Sequence, residues 1–174
     1  MAKTLILING CMGVGKTAVA QALYRRLQRS VWLDGDWCWM MNPWVISDEN
    51  KRMVEDNIAY LLRSFLTNEG FDYVVFSWVM HRPEIIEGLL ERLADLPFEA
   101  HRISLVCSEE VLRARMLEGG RDGLAVEESL RRAPLYRRMD THQVDTTDLP
   151  IAGVVDAILR LIGAGEGRRG VAAS

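Results

Sequence analysis

The sequence predicts a three-layer α/β domain: a five-stranded parallel sheet with helices on both faces and a helical lid. Three observations predict it. Apolar runs alternate with helix-period segments along the chain, the order of βαβ units. The runs are apolar throughout instead of alternating, as in strands covered on both faces. A glycine-rich turn, "GCMGVGKT" at 10–17, follows the first run and opens the first helix. The chain has 174 residues, 49 % of them hydrophobic and 26 % charged, with a net charge of −3. That composition fits one globular domain with enough core to fold without staples.

Each element has its own local reason. "KTLILIN" (3–9) is the first strand. From Lys16 the period changes, and Val19, Leu23 and Leu27 share one helical face while Arg25, Arg26 and Arg29 lie off it. "SVWLD" (30–34) is the second strand. Residues 47–67 form a helix with Val54, Ile58, Leu61, Leu62 and Phe65 on its stripe and Ser47 as its cap. "DYVVFSWV" (72–79) is the third strand. Pro83 suits the first turn of the next helix, where its missing N–H is not needed, and Ile86, Leu89, Leu90 and Leu93 follow as the stripe. "HRISLVC" (101–107) is the fourth strand. Ser108 then caps a helix whose first turn carries Glu109 and Glu110, favourable against the helix dipole. Residues 119–140, with Gly119, Gly120, Gly123 and many arginines, read as a mobile helical lid. "HQVDT" (142–146) is a short fifth strand. Asp148 and Pro150 open the last helix, which carries Val154, Val155, Ile158, Leu159 and Ile162. The domain therefore runs over 1–163, with 164–174 as a loose Gly/Ala-rich tail.

The totals exclude some functions. A mildly acidic chain lacks the basic face that a non-specific nucleic-acid binder needs, so no nucleic-acid partner is expected. No apolar run reaches the ~18–20 residues that span a bilayer, and the N-terminus reads as a strand and not a signal peptide. Cys11, Cys38 and Cys107 form no close pair and no metal spacing, which suits a reducing cytoplasm.

Residues 10–17 fit the P-loop pattern G-x-x-x-x-G-K-[ST]. Glycines let backbone N–H groups wrap an anion without side chains in the way, and the helix N-terminus adds positive potential. Gly10, Cys11, Met12, Gly13, Val14, Gly15, Lys16, Thr17 and Ala18 are the expected nucleotide-binding set. Lys16 should reach the β- and γ-phosphates, and the Thr17 hydroxyl should ligate Mg²⁺. Lys16 is one of three lysines in a chain with 18 arginines, so a scarce residue stands where the pattern calls for it. The competing account, a turn that merely joins strand to helix, does not explain that lysine.

The class of triphosphate chemistry follows by exclusion. The chain is too short for a motor ATPase with its sensor elements. Guanine recognition usually brings N-K-x-D after a late strand; Asn50-Lys51-Arg52-Met53 lacks the aspartate and starts a helix. Small P-loop kinases remain, with ATP as the expected nucleotide. "LDGDWCW" (33–39) closes the second strand, and ligands of open parallel sheets sit beyond the carboxyl ends of strands. Asp34 and Asp36, spaced by two, can face one cleft. One carboxylate can hold Mg²⁺ through water while the other takes a proton from an attacking hydroxyl. Asp-Gly-Asp is also ordinary turn chemistry, and only the preceding P-loop tips the balance.

With these residues in place, "ILINGCMGVGKT" followed by "WLDGDWCW" resembles the small-molecule P-loop kinases, such as adenylylsulfate, shikimate, gluconate and chloramphenicol kinases. "VFSWVMHRPEIIEGLLERL" also looks like the bacterial tunicamycin-resistance ATP-binding proteins. The resemblance spans Thr4 to about Ile162. It implies that the Asp pair handles metal and acceptor, with Thr17 and Asp34 at the metal and Asp36 as base. It implies that lid arginines close on the transferring phosphate; Arg115 and Arg121 match best, ahead of Arg137 and Arg138. It implies that the loop at Asp145-Thr146-Thr147 borders adenine, which adds Thr146 to the nucleotide set. The chain departs from the pattern at the end of the third strand, where Ser77 replaces the usual aspartate, and after Asp36, where an aromatic stretch replaces a polar one.

Four of the five tryptophans fall between 32 and 44. Exposed aromatic clusters are costly unless they line a pocket or an interface, so Trp37 and Trp39 are expected at the acceptor, which would be bulky and partly apolar; plain core packing is the competing account. His81 follows the third strand on the same edge and is the candidate auxiliary base or acceptor contact, against a plain helix-entry histidine. The expected activity is ATP- and Mg²⁺-dependent phosphorylation of a small-molecule hydroxyl. The alternative is a resistance or regulatory protein that binds ATP and a drug without phosphorylating either.

Overall fold

The computed structural model describes residues 2–164; of the expected tail, 165–174 lie outside the described residues. The strands are β1 (Lys3–Asn9), β2 (Ser30–Asp34), β3 (Tyr73–Ser77), β4 (Phe98–Val106) and β5 (His142–Asp145). All pair in parallel, in the order β2-β3-β1-β4-β5. The helices are α1 (Lys16–Arg26), α2 (Asp48–Thr67), α3 (Pro83–Glu91), α4 (Glu109–Glu118), α5 (Gly123–Arg137) and α6 (Ile151–Leu161). Helices pack on the sheet, α1 against β2, β3 and α6, and α5 against β4. Leu5, Ile6, Leu7 and Ile8 of β1 and Val74, Val75 and Phe76 of β3 are wholly buried, which is why these runs carry no alternation. Among the described residues no helix is long and apolar enough to cross a membrane.

The cap chemistry works as the residue types require. Ser47 Oγ accepts from Asn50 N at 3.1 Å and Ser108 Oγ from Val111 N at 3.3 Å, each satisfying a helix-end donor. At α6 the cap position is Pro150, and no side chain bonds there, so Asp148 does not act as a cap. β4 starts at Phe98, three residues ahead of the apolar run, because Phe98, Glu99 and Ala100 pair with Lys3, Thr4 and Leu5. Phe98 and Ala100 are only partly covered and Glu99 is exposed, so their hydropathy does not mark them. The segment 119–140 is a turn followed by α5, which has Asp122 as its cap, the carboxylate accepting from Ala125 N at 2.8 Å.

The strand order reverses at β1, which lies between β3 and β4. The crevice beyond its carboxyl end is the place such a sheet offers to a ligand. Asn9, the last residue of β1, braces that edge. Its Nδ2 donates to Met80 O at 2.9 Å and its Oδ1 accepts from Met80 N at 2.8 Å, with the whole side chain buried. β3 ends at Ser77, two residues before the apolar run does: Trp78 N still donates to Ile8 O of β1 at 3.2 Å, and Met80 then bonds to the Asn9 side chain. Asn9→Ala leaves Met80 N–H and C=O buried without partners. The variant is expected to lose about 1–3 kcal/mol of stability, read from urea unfolding. An unchanged midpoint would show that the brace carries no weight.

Candidate active site

The turn between β1 and α1 is a cradle whose carbonyls are already engaged. Lys16 Nζ donates to Cys11 O at 2.8 Å, Ser129 Oγ to Met12 O at 2.6 Å, and Arg115 Nη1 to Val14 O at 3.3 Å. With those carbonyls held, the turn amides other than Val14 N, which donates to Cys11 O at 3.4 Å, remain for an anion. α1 begins behind Gly15 with no side-chain cap and no acid in its first turn, so nothing in the chain competes for its N-terminus. Gly13 (φ 85°) is pressed by α4: a Cβ there would lie 2.3 Å from Met116 Cγ. The loop is thus shaped by residues on α4 and α5, more than a hundred positions away. Cys11 is buried and burial pushes its thiol pKa up, so it acts as packing and not as a nucleophile.

The two carboxylates stand beside the cradle in unlike settings. Asp34, the last residue of β2, is buried and bonded at both oxygens: Oδ2 accepts from Thr17 Oγ1 at 3.0 Å and Oδ1 from Asp36 N at 3.0 Å. Asp36 follows in a 3₁₀ turn over Gly35–Trp39. Its pKa is raised, first by burial and then by the Asp34 charge; Lys16, the Trp78 indole N–H and Arg121 pull the other way. Gly35 is what allows Trp78 so close, since a Cβ at 35 would lie 2.4 Å from the indole. Lys16 is lowered to about 8, chiefly by burial, while Cys11, Asp36 and Asp34 oppose the shift. Thr17 and Asp34 form a compact hard-oxygen pair of the kind that holds Mg²⁺ together with waters and phosphate oxygens. Among the described residues no cluster of three or more His, Cys, Asp or Glu could hold a metal by itself.

The remaining expected residues fall into two groups. Arg121 is near enough to Asp36 to lower its pKa, and it is exposed. Arg115 instead bridges two loops: besides Val14 O, its guanidinium donates to Thr146 Oγ1 at 2.9 Å and Thr146 O at 2.8 Å. Thr146 is buried, so it joins the site through its contact with Arg115. Arg137 donates to Cys107 O at 2.8 Å. Arg113, Arg131 and Arg132 pair with Glu127 and Glu128, as solvated arginines on a helix commonly do. Ser77 accepts from Trp32 Nε1 at 3.0 Å, which holds the aromatic segment to the sheet in place of a metal ligand. Trp37 is 52 % exposed and packs on Trp32, with ring centroids 4.9 Å apart; Trp39 is half-buried and packs on Trp44 at 6.2 Å. His81 has a buried Nδ1 without a partner among the described residues, and its pKa is lowered by burial and by Arg132 and Arg82. Asn9, Trp78 and Ser129 are site residues that no motif announces.

Residues 6–131 match the model of a family described as AAA domain, well over half of the chain. The chain belongs to this AAA-domain family. No curated protein matches it. Among solved structures, the AAA-domain chain is similar to the tunicamycin resistance protein of Deinococcus radiodurans, with a TM-score of 0.71 and 22 % identity over 92 % of this chain and 96 % of that one. It is similar to a gluconokinase from Sinorhizobium meliloti, with a TM-score of 0.70 and 20 % identity over 92 % and 91 % of the two chains. It is also similar to a shikimate kinase from Bacteroides thetaiotaomicron, with a TM-score of 0.59 and 17 % identity over 92 % and 98 %. The fold of this AAA-domain protein is therefore the α/β P-loop fold of those kinases.

The depressed pKa of Lys16 predicts how nucleotide binding at the loop of this AAA-domain protein would depend on pH. Below about 8 the free protein already carries the ammonium. Above about 8 it is neutral, and binding must take up a proton. Affinity for ATP should be flat below that pH and weaken above it, by up to about tenfold per pH unit. Calorimetry across pH 7 to about 9.5 reads this, and Lys16→Ala should remove the slope with the affinity. A flat profile in the wild type would contradict a charge role for Lys16.

Proposed function

We propose that the protein is an Mg²⁺·ATP-dependent kinase that transfers the γ-phosphoryl group to a hydroxyl of a small molecule, such as a bulky natural product or antibiotic. The observation that carries this reading is the division between the carboxylates. Asp34 is fixed by two hydrogen bonds and Asp36 keeps a raised pKa beside it. A carboxylate held by two hydrogen bonds beside one whose pKa is raised suits one fixed ligand and one proton acceptor. The family match and the kinase neighbours support the class.

In this reading the loop amides and Lys16 bind the phosphates. Thr17 and Asp34 would hold Mg²⁺, which when bound offsets the negative charge of the phosphates. Asp36 orients the acceptor hydroxyl and takes its proton. The acceptor oxygen forms the new bond to the γ-phosphorus as the bond to the β–γ bridging oxygen breaks, and ADP leaves with that electron pair. Arg121 is the arginine left to stabilise charge on the transferring group, because Arg115 is committed to Val14 and Thr146. Arg115 then acts as a positioning residue that keeps the two nucleotide-side loops together. Trp37 and Trp39 form the apolar approach for the acceptor, and His81 is the second polar group on that edge. The three free cysteines suit a cytoplasmic setting. One observation favours the alternative, an ATP-binding resistance or regulatory protein without transfer: the strand-end residue is Ser77, not a carboxylate, and its hydroxyl accepts from Trp32.

The test is ADP release from Mg²⁺·ATP across nucleosides, sugars, hydroxy acids, aminoglycosides, phenicols and nucleoside antibiotics, with Lys16→Ala as the blank. In Asp36→Asn, acceptor-dependent turnover is expected to fall by about 10²–10⁴-fold while ATP affinity stays within twofold or so. Normal turnover in that variant removes Asp36 from the mechanism.

A further inference from the structure

A cavity of about 120 Å³ lies between α2 and α3, away from the phosphate loop. Glu55 and Ile58 of α2, Trp78, and Glu84, Leu89 and Arg92 on the α3 side line it. An engineered apolar cavity of about 150 Å³ holds a benzene ring, so this one has room for a compact apolar group. Trp78 connects it to the proposed chemistry. The indole packs over Gly35, the residue before Asp36, and walls the cavity. A body resting against Trp78 is one side chain away from the group that would receive its hydroxyl proton.

The charges in the cavity are not balanced toward anions. Two carboxylates face one guanidinium. Arg92 is already held, bonded to Asp56 and 3.7 Å from Glu55. Glu84 has no ion pair among the described residues, and it occupies the first turn of α3, the one helix end there that would otherwise favour an anion. An acceptor with its own carboxylate meets Glu84 and finds no uncommitted cation among the residues that line the cavity. An ammonium meets a carboxylate and the ring of Trp78, both attractive.

We propose that this cavity is the acceptor-recognition subsite and that it selects amine-bearing alcohols with a compact apolar body over neutral and anionic ones. The assignment rests on the kinase reading for its reaction but not for its binding. A matched set tests it: phenylalaninol (cation), N-acetylphenylalaninol (neutral) and 3-phenyllactate (anion), titrated into the full chain at neutral pH and low salt by calorimetry. Phenylalaninol is expected to bind about tenfold tighter than phenyllactate, with the neutral compound between them. Glu84→Gln should erase the preference and Glu84→Lys should reverse it; Glu84 is exposed, so neither change disturbs the core. Equal affinities, the reverse order, no binding of any of the three, or a preference that survives Glu84→Lys would each overturn the assignment. ADP release with the same compounds is scored separately. Binding in the expected order without ADP release supports the subsite and counts against the kinase reading. ADP release with phenyllactate and not phenylalaninol overturns the subsite and supports the kinase.

Discussion

The hydrogen bond from Thr17 Oγ1 to Asp34 Oδ2 joins two pieces of chain that the sheet itself does not connect. β1, which leads into Thr17, and β2, which ends at Asp34, are separated by β3. A buried carboxylate must have partners, and Asp34 finds them in Thr17 and in the N–H of Asp36. The first bond fixes the start of α1 against β2. The second fixes where Asp36 stands. Nearby, Asn9 ties β1 to Met80 and Ser77 ties β3 to Trp32, so the carboxyl ends of β2, β3 and β1 form one cross-braced edge. The phosphate loop sits above that edge and inherits its position.

The loop is preorganised from the other side by α4 and α5. A free glycine-rich loop would hold its amides in many orientations, and ordering them on binding would cost about 1–2 kcal/mol per residue. Here Ser129, Arg115 and Lys16 hold three of the loop carbonyls before a ligand arrives, and Met116 presses on Gly13. The middle of α5 is therefore anchored to the loop, and the exposed turn before it, which carries Arg121, is the part without such an anchor. The same crowding lowers the pKa of Lys16. An enclosed ammonium is poorly solvated, and phosphate oxygens would replace the missing solvation.

Much of this was legible in the sequence, for identifiable reasons. β1 and β2 have the bounds of their apolar runs because their residues are covered on both faces or end at a polar site residue. Ser47 and Ser108 cap as their type dictates, through contacts three residues away. Gly10 to Thr17 were readable because the positive φ at Gly10, Gly13 and Gly15 demands glycine there whatever else packs on the loop. What was not legible depends on distance along the chain. Arg115 could be flagged as a phosphate arginine, but its bonds to Val14 and Thr146 lie 101 and 31 positions away. Asn9 reads as the last residue of a strand; its partner is 71 positions on. Trp78 reads as strand apolarity, yet it lies on Gly35 and helps set the Asp36 pKa. The aromatic segment divides between packing and exposure, and composition cannot say which tryptophan does which: Trp32 is held by Ser77 while Trp44 is 62 % exposed.

In the proposed reaction the cradle and the unequal carboxylates together move a phosphoryl group onto a carbon-bound oxygen. Phosphorus NMR of the full chain with Mg²⁺·ATP and a mixture of small hydroxyl compounds follows that group directly. The account predicts that the γ-phosphate resonance declines and an equal phosphomonoester resonance grows. A γ-phosphate that persists while nucleotide is bound, or that reappears solely as inorganic phosphate, would contradict it.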